Sequence, residues 1–338
     1  MLTARPVPIQ WHPDLSVFAS EPFLKSVGDH YGWLGGFDPA GKLRCVLPYT
    51  IVRKAILRMV RFRVETIPLE EEISLEEERS FLNSAMGCFR SMGAGVVIPA
   101  TTNTIFRTFP DGSVAAPYGT CVLDLDRPED ALWSGISSNH RRQIRLAQKS
   151  GVQMRQAPEL VEATHAMVRN TFGKSDLPFM GPVSFQRMLQ GLGESVRILV
   201  AEAGGKVQAS IVVPFSRHTA YYVYGGSVAN AAPGAMHLLH WEAIKLFRSL
   251  GVARYDFVGV RVNPEPGSKQ EGLLTFKQRF GGRLVQGYMW KYPLRRLNYL
   301  LYCLAARLRS KGDIVDNERH KLGKQSPPDA EVAPAFRL

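Results

Sequence analysis

The chain has 338 residues, 45% of them apolar and 21% charged, which excludes a disordered chain and allows two domain cores. Forty-two Lys and Arg against thirty Asp and Glu give +12, an excess that points to anionic partners: phosphates, RNA or an acidic membrane surface. Four cysteines, none in a CxxC pair, argue against a zinc site, and no metal is expected.

The N-terminus carries Pro6, Pro8 and Pro13 and no apolar run, so a signal peptide is not expected. No stretch reaches the ~20 apolar residues of a membrane span. The expected location is the cytoplasm, with the inner face of the membrane as a secondary site of association.

In chain order, Glu21 to His30 reads as a short helix with Pro22 in its first turn. Strands follow at Gly32–Phe37, Leu43–Val52 and Leu57–Ile67, the first two joined by the turn Asp38-Pro39-Ala40-Gly41. Leu75 to Met92 is a helix opening on Glu76, Glu77 and Glu78, where the dipole favours carboxylates. Val96–Pro99 and Gly119–Leu125 read as strands. A basic helix, Asn139 to Val152, comes next, capped by Ser137-Ser138.

The order then returns. Val152–Arg155 is a strand, and Pro158–Phe172 and Pro182–Leu192 are helices. A hairpin turns at Gly204-Gly205, followed by a strand from Thr219 to Tyr224. A helix from Ala235, apolar on most faces, leads into the strand Val252–Val258, a helix from Leu273 and a strand from Leu284 to Tyr292. Each half thus reads helix, strands, long helix, strand, short helix, strand. This repeat of order predicts an α/β (α+β) protein of two similarly built domains, each a mixed sheet flanked by helices. Residues 1–130 form the first domain and 131–293 the second. Residues 294–311 form a basic amphipathic helix and 312–338 a polar, proline-containing flexible tail.

On a helical wheel Arg141, Arg142, Arg145 and Lys149 fall within an arc of about 100°. No acid interrupts this stripe, and guanidinium forks match phosphate oxygens. A solvated face is the alternative. Asp256, at the carboxyl end of its strand, is a candidate for holding or deprotonating an amine, or equally for capping the loop after it. Lys277 sits in FKQRF beside a face formed by Leu273, Phe276 and Phe280, all expected to point inward, from which it reaches a phosphate or a developing oxyanion. Tyr224, before Gly225-Gly226, is a candidate channel residue or acid. His140, His237 and His240 are expected to be structural. No serine-nucleophile elbow is present.

Two motifs, IRLAQKSGV in the basic helix and YDFVG followed by FKQRFGG, resemble those of the FemABX-like peptidyltransferases, and the order of elements resembles tandem copies of the GNAT acyltransferase fold. The resemblance implies transfer of an aminoacyl group from charged tRNA to an amine of a peptidoglycan or polysaccharide precursor in the cell envelope. The donor enters as a co-substrate and no cofactor is bound. Close relatives of the fold use acyl-CoA instead. It also implies a phosphate contact at Arg142 or Arg145 and a place for Lys277 near the leaving group, and Phe276, on the inward face beside Lys277, is a candidate substrate-binding residue. The usual pyrophosphate loop for coenzyme A is not matched by Asn230-Ala231-Ala232-Pro233-Gly234-Ala235. Two alternatives stay open: an acyl-CoA-dependent N-acetyltransferase acting on a small molecule, and a non-catalytic membrane-surface or anion-binding protein. The apolar run Leu297–Leu308, flanked by Arg295, Arg296, Arg307 and Arg309, lies either in a membrane interface or against the second domain.

Overall fold

The computed structural model describes residues 1–69, 72–175, 177–310 and 312–325. The first half comprises β1 (Thr3–Val7), α1 (Glu21–Val27), β2 (His30–Phe37), β3 (Leu43–Lys54), β4 (Leu57–Arg61), β5 (Ile67–Pro68), α2 (Leu75–Ser91), β6 (Val96–Val97) and β7 (Val114–Asp124). The second comprises α3 (Glu129–Gly135), α4 (Ser138–Lys149), β8 (Gln153–Gln156), α5 (Val161–Gly173), α6 (Pro182–Leu192), β9 (Val196–Ala203), β10 (Lys206–Pro214), β11 (Ala220–Tyr221), β12 (Tyr224–Ser227), α7 (Ala235–Ser249), β13 (Arg254–Val260), α8 (Lys269–Gln278) and β14 (Arg283–Lys291). Two further helices, α9 (Arg296–Ser310) and α10 (Ile314–Gln325), close the described chain.

Three sheets result, in the orders β1-β2-β3-β4-β6 with β5 on β3, β12-β10-β9-β8, and β11-β13-β7-β14. The mixed α/β architecture and the flanking helices are as expected. The third sheet holds what the sequence order does not show: β7, from the first half, lies between β13 and β14 of the second and is antiparallel to both. A border drawn at residue 130 therefore cuts the chain after a strand that the second half holds at the centre of its sheet. The exchange is reciprocal, because Val97 and Tyr292 trade main-chain bonds of 3.0 Å and Trp290 is buried in the first half's core.

Each half has its own core, one gathered around α2 and one around α7. Leu238, Leu239, Trp241, Ile244 and Phe247 are all buried, as the apolar character of α7 requires. Gly234, at φ +77°, begins this helix, and a Cβ there would meet the Gln143 carbonyl at 2.1 Å, so glycine lets α4 lie on α7. A third core joins the halves: Phe18, Phe23 and Trp33 meet Phe185, Met188 and Tyr221.

Four local expectations are corrected. The strand foreseen over Leu57–Ile67 ends at Arg61, and only Ile67 and Pro68 pair again, with β3. The strand foreseen over Thr219–Tyr224 divides: Tyr222 N donates to Asp256 O (2.8 Å), whereas Val223 N donates to Val212 O (3.2 Å), so the chain changes partner and β11 and β12 belong to different sheets. In α8, Leu273 is 42% exposed and Lys277 faces inward, because carbonyls of β13 satisfy its ammonium. The tail foreseen as flexible from residue 312 instead forms α10. Buried Lys291 requires counter-charges, which Asp313 (2.9 Å) and Asp316 (2.5 Å) supply, and Arg261 pairs with Glu318 at 2.7 Å. Residues 326–338 lie outside the described residues.

Candidate active site

The site is built on an irregularity in β13. Its register with β7 runs Arg254↔Asp124, Tyr255↔Leu123 and Asp256↔Val122, then resumes at Gly259↔Thr120, so Phe257 and Val258 together oppose Cys121. Such a bulge re-aims side chains next to active sites. Val258 has φ +51°, a strained conformation for a β-branched residue, worth about 1–3 kcal/mol and held only if its surroundings enforce it.

Two charged groups enforce it. Asp256 Oδ1 accepts the Val258 N–H (2.7 Å) and the Thr120 hydroxyl. Lys277 Nζ donates to the carbonyls of Val258 and Gly259, both at 2.8 Å, which leaves one of its three protons uncommitted. Both side chains are buried. Burial pushes the Asp256 carboxyl up to about 6, against the pull of Thr120, the Val258 amide and Lys277. Burial likewise pushes the Lys277 ammonium down to about 8, against the opposing influence of Cys121 and Asp256. The pair thus straddles neutral pH, as an acid–base site needs.

Asp256 opens onto a cavity of about 180 Å³ that Glu65, Thr120, Tyr221 and His218 also line. Burial, and then the charge of Asp256, pushes the Glu65 carboxyl up to about 7, although two main-chain hydrogen bonds pull it down. Glu65 was not foreseen: it stands in no motif, and only the meeting of the two halves brings it to Asp256.

Asn103 lines this cavity and also a larger one of about 480 Å³ between the halves. Lys25, Arg61, Arg63, Arg187 and Tyr224 stand around the larger cavity, with Asp29 at its exposed rim as the only acid among the lining residues. Asn103 Nδ2 donates to Arg63 O at 2.7 Å, and Arg63 Nη2 donates to Val27 O at 3.1 Å. Burial and the charge of Arg61 push Arg63 down to about 9, which still leaves it charged at neutral pH. Arg61 Nε is buried without a hydrogen-bond partner, and among the described residues neither guanidinium has an ion-pair partner. Tyr224 belongs to this cavity. Its ring packs edge-on against Phe179 at 5.1 Å, and burial raises its phenol while Arg63 and Arg61 lower it.

The foreseen residues therefore fall into three places. Asp256 and Lys277 meet at the bulge, and Tyr224 stands in the neighbouring cationic cavity. The stripe on α4 lines neither cavity: Arg142, Arg145 and Lys149 are exposed, Arg141 Nη1 donates to Ser134 O (3.0 Å), and Arg145 lies over the Trp133 ring at 5.5 Å. Phe276 packs among His140, His237 and Phe280. These histidines are structural in position: burial pushes His237 down to about 4 and His240 down to about 3, so both are neutral at pH 7. Among the described residues no group of three or more His, Cys, Asp or Glu side chains is placed to hold a metal ion.

Residues 135–271 match the family model of an acetyltransferase (GNAT) domain, the stretch from α3 through β13 and into α8. Over 120 residues the chain is 27% identical to the lipid II:glycine glycyltransferase of Staphylococcus haemolyticus strain JCSC1435, a match covering 33% of this chain and only 28% of that relative. Among solved structures, FemX superposes with a TM-score of 0.66 at 14% identity, over 88% of this chain and 99% of that one. A tandem GNAT protein from the clavulanic acid pathway superposes with 0.50 at 12% identity, over 87% and 99%. With a GNAT domain in its second half, two sheets-and-helices units in series and the motifs at Asn139–Val152 and Tyr255–Gly282, the chain is a tandem GNAT-fold protein that resembles the FemABX-like peptidyltransferases.

Proposed function

We propose that this protein is an enzyme that moves an aminoacyl or acyl group onto an amine of a cell-envelope precursor by direct attack. The carrying observation is the strained bulge, with Asp256 and Lys277 on it, joined through Asn103 to a cavity ringed by four cationic side chains. The glycyltransferase relative supports the acceptor class.

The cationic cavity holds the phosphate-bearing part of the acceptor, since half-buried guanidinium groups bind phosphate strongly where water is excluded. The acceptor amine lies at the smaller cavity. Asp256, with Glu65 beside it, takes a proton from the amine as nitrogen attacks the donor carbonyl. The new C–N bond forms beside the bulge, and Lys277, which lines neither cavity but holds the Val258 and Gly259 carbonyls, favours the developing oxyanion through its positive charge. Collapse breaks the C–O or C–S bond to the donor, and the proton taken from the amine passes to the leaving oxygen or sulfur. The donor enters as a co-substrate, and none of these steps calls on a bound cofactor or a metal.

Charged tRNA is the donor we favour. In acetyltransferases of this fold the pyrophosphate of coenzyme A sits at the amino end of the long helix, and here α4 lies against that end of α7 at Gly234. The exposed arginines of α4 then offer a surface to tRNA. Mass spectrometry of reactions given charged tRNA and acyl-CoA pools separately tests this reading. A product from the tRNA pool alone is expected. A product from acyl-CoA alone would make the protein an N-acetyltransferase of small molecules. No product from either pool, with the protein still binding anionic precursors, would make it a binding protein.

A further inference from the structure

The helix α9 is divided lengthwise. Tyr299 and Tyr302 pack against Met59, Val96 and Ile98 of the first half, and Arg295 N donates to Gly95 O at 2.8 Å, so one face is docked. The opposite face is bare. Leu297, Leu300, Leu304 and Leu308 are 69%, 64%, 56% and 80% exposed. At ~100° per residue these four fall within about 80° of one another and form a ridge ~17 Å long. On the same wheel Arg296 and Arg307 run along one edge of the ridge, within about 40° of Leu300, whereas Arg309 falls nearer the docked face. No acidic residue occurs between Arg296 and Ser310, and among the described residues no ion pair engages these arginines. The helix is too short and too interrupted by charge to cross a bilayer, and among the described residues no helix qualifies.

We propose that this leucine ridge is a docking surface for an anionic lipid bilayer, entered to the depth of the side chains with the arginines at the headgroups. Charge decides between occupants. Two copies meeting ridge to ridge would bring the arginines of both helices together, whereas an anionic surface meets Arg296 and Arg307 at the ridge's edge with opposite charge. The position of the helix gives the contact a use. Tyr302 packs against Met59 of β4, the strand that ends on the cavity-lining Arg61, so a bilayer on the outer face of α9 would lie one helix away from that strand and from the chamber assigned to the phosphate-bearing acceptor. The inference rests on the acyl-transfer reading only for that use. Lipid binding is measured without turnover, so either claim fails without the other.

The test is vesicle flotation of the full chain with phosphatidylcholine alone and with about one third phosphatidylglycerol, at about 0.05 M and about 0.5 M salt. Binding to the anionic vesicles at low salt is expected, at least ten-fold weaker for Leu300→Gln/Leu304→Gln and for Arg296→Gln/Arg307→Gln. Both pairs are on the surface, so turnover on a soluble acceptor and the melting temperature should be unchanged. Equal binding to neutral vesicles, no binding to anionic ones, or leucine variants that bind like the parent would each overturn the proposal. So would sedimentation showing a dimer that Leu300→Gln/Leu304→Gln dissolves, which would assign the ridge to a second copy.

Discussion

Asp256 does two things that pull against each other. Its Oδ1 holds the bulge at Val258, and its ionised form stands in a site that burial makes hostile to charge. A carboxyl raised to about 6 in the folded protein, from an ordinary value of 3.8, binds protons more readily folded than unfolded. Stability from that group is therefore complete below the unfolded value and is lost as pH rises through about 6. Asp256→Asn keeps an oxygen acceptor and sheds the charge, so it should melt higher than the parent at pH 7, by up to about 3 kcal/mol, with the gain vanishing near pH 4. Its turnover should fall by about 10²-fold or more. A variant that melts lower at pH 7 would show that the carboxylate is stabilising there. Lys277→Met should cost about 10²–10³-fold in kcat and also lower the melting temperature, because the Val258 and Gly259 carbonyls lose their donor, and unchanged rates in the folded variant would remove Lys277 from the chemistry. For the parent, kcat/KM should rise through about 6 as Asp256 ionises and fall through about 8 as Lys277 loses its proton. A profile flat between those values and beyond would count against both assignments.

At the scale of elements, α4 and β13 show how a motif divides between support and chemistry. The back of α4, with His140, Ile144 and Ala147 buried, is fixed by α7, while Arg142, Arg145 and Lys149 project outward and away from both cavities. If these arginines bind a polyanionic donor, Arg142→Ala and Arg145→Ala should raise the donor KM more than they lower kcat and should flatten its dependence on salt. The KM of a small anionic acceptor should not move, because its cavity draws on Arg61 and Arg63 instead. Donor kinetics superimposable on the parent at every salt concentration would make the stripe a solvated face. In α8 the same division inverts the expectation from pattern. Leu273 faces solvent and Lys277 faces in, because unpaired bulge carbonyls attract an ammonium more strongly than the helix loses by exposing a leucine.

For the whole molecule, β7 is the strand that makes two halves one structure. Removing it would leave β13 and β14 each with an open edge, and open edges pair with other chains. A fragment of residues 126–325, lacking β7, should be insoluble or show no cooperative transition, whereas the full chain should melt in a single calorimetric transition. Two well-separated transitions in the full chain would show that the exchange between the halves couples them weakly.

The alternation of helix and strand, the buried character of α7, the capping of α4 by Ser137 and the paired motifs around Asp256 and Lys277 were legible in the sequence, because each depends on residues within a turn or a strand of one another. From them came the tandem α/β fold and two residues that meet at the bulge. Glu65, Asn103 and the Arg61–Arg63 cavity were not legible. They lie on irregular segments and strand ends of the first half, outside any motif, and become a site only where the second half closes over them. The order of α10 likewise depends on a buried lysine more than twenty residues before it. Local periodicity decides which elements form. Burial of charge, and the carbonyls and carboxylates available to compensate it, are properties of the assembled molecule, and they decided where those elements carry chemistry.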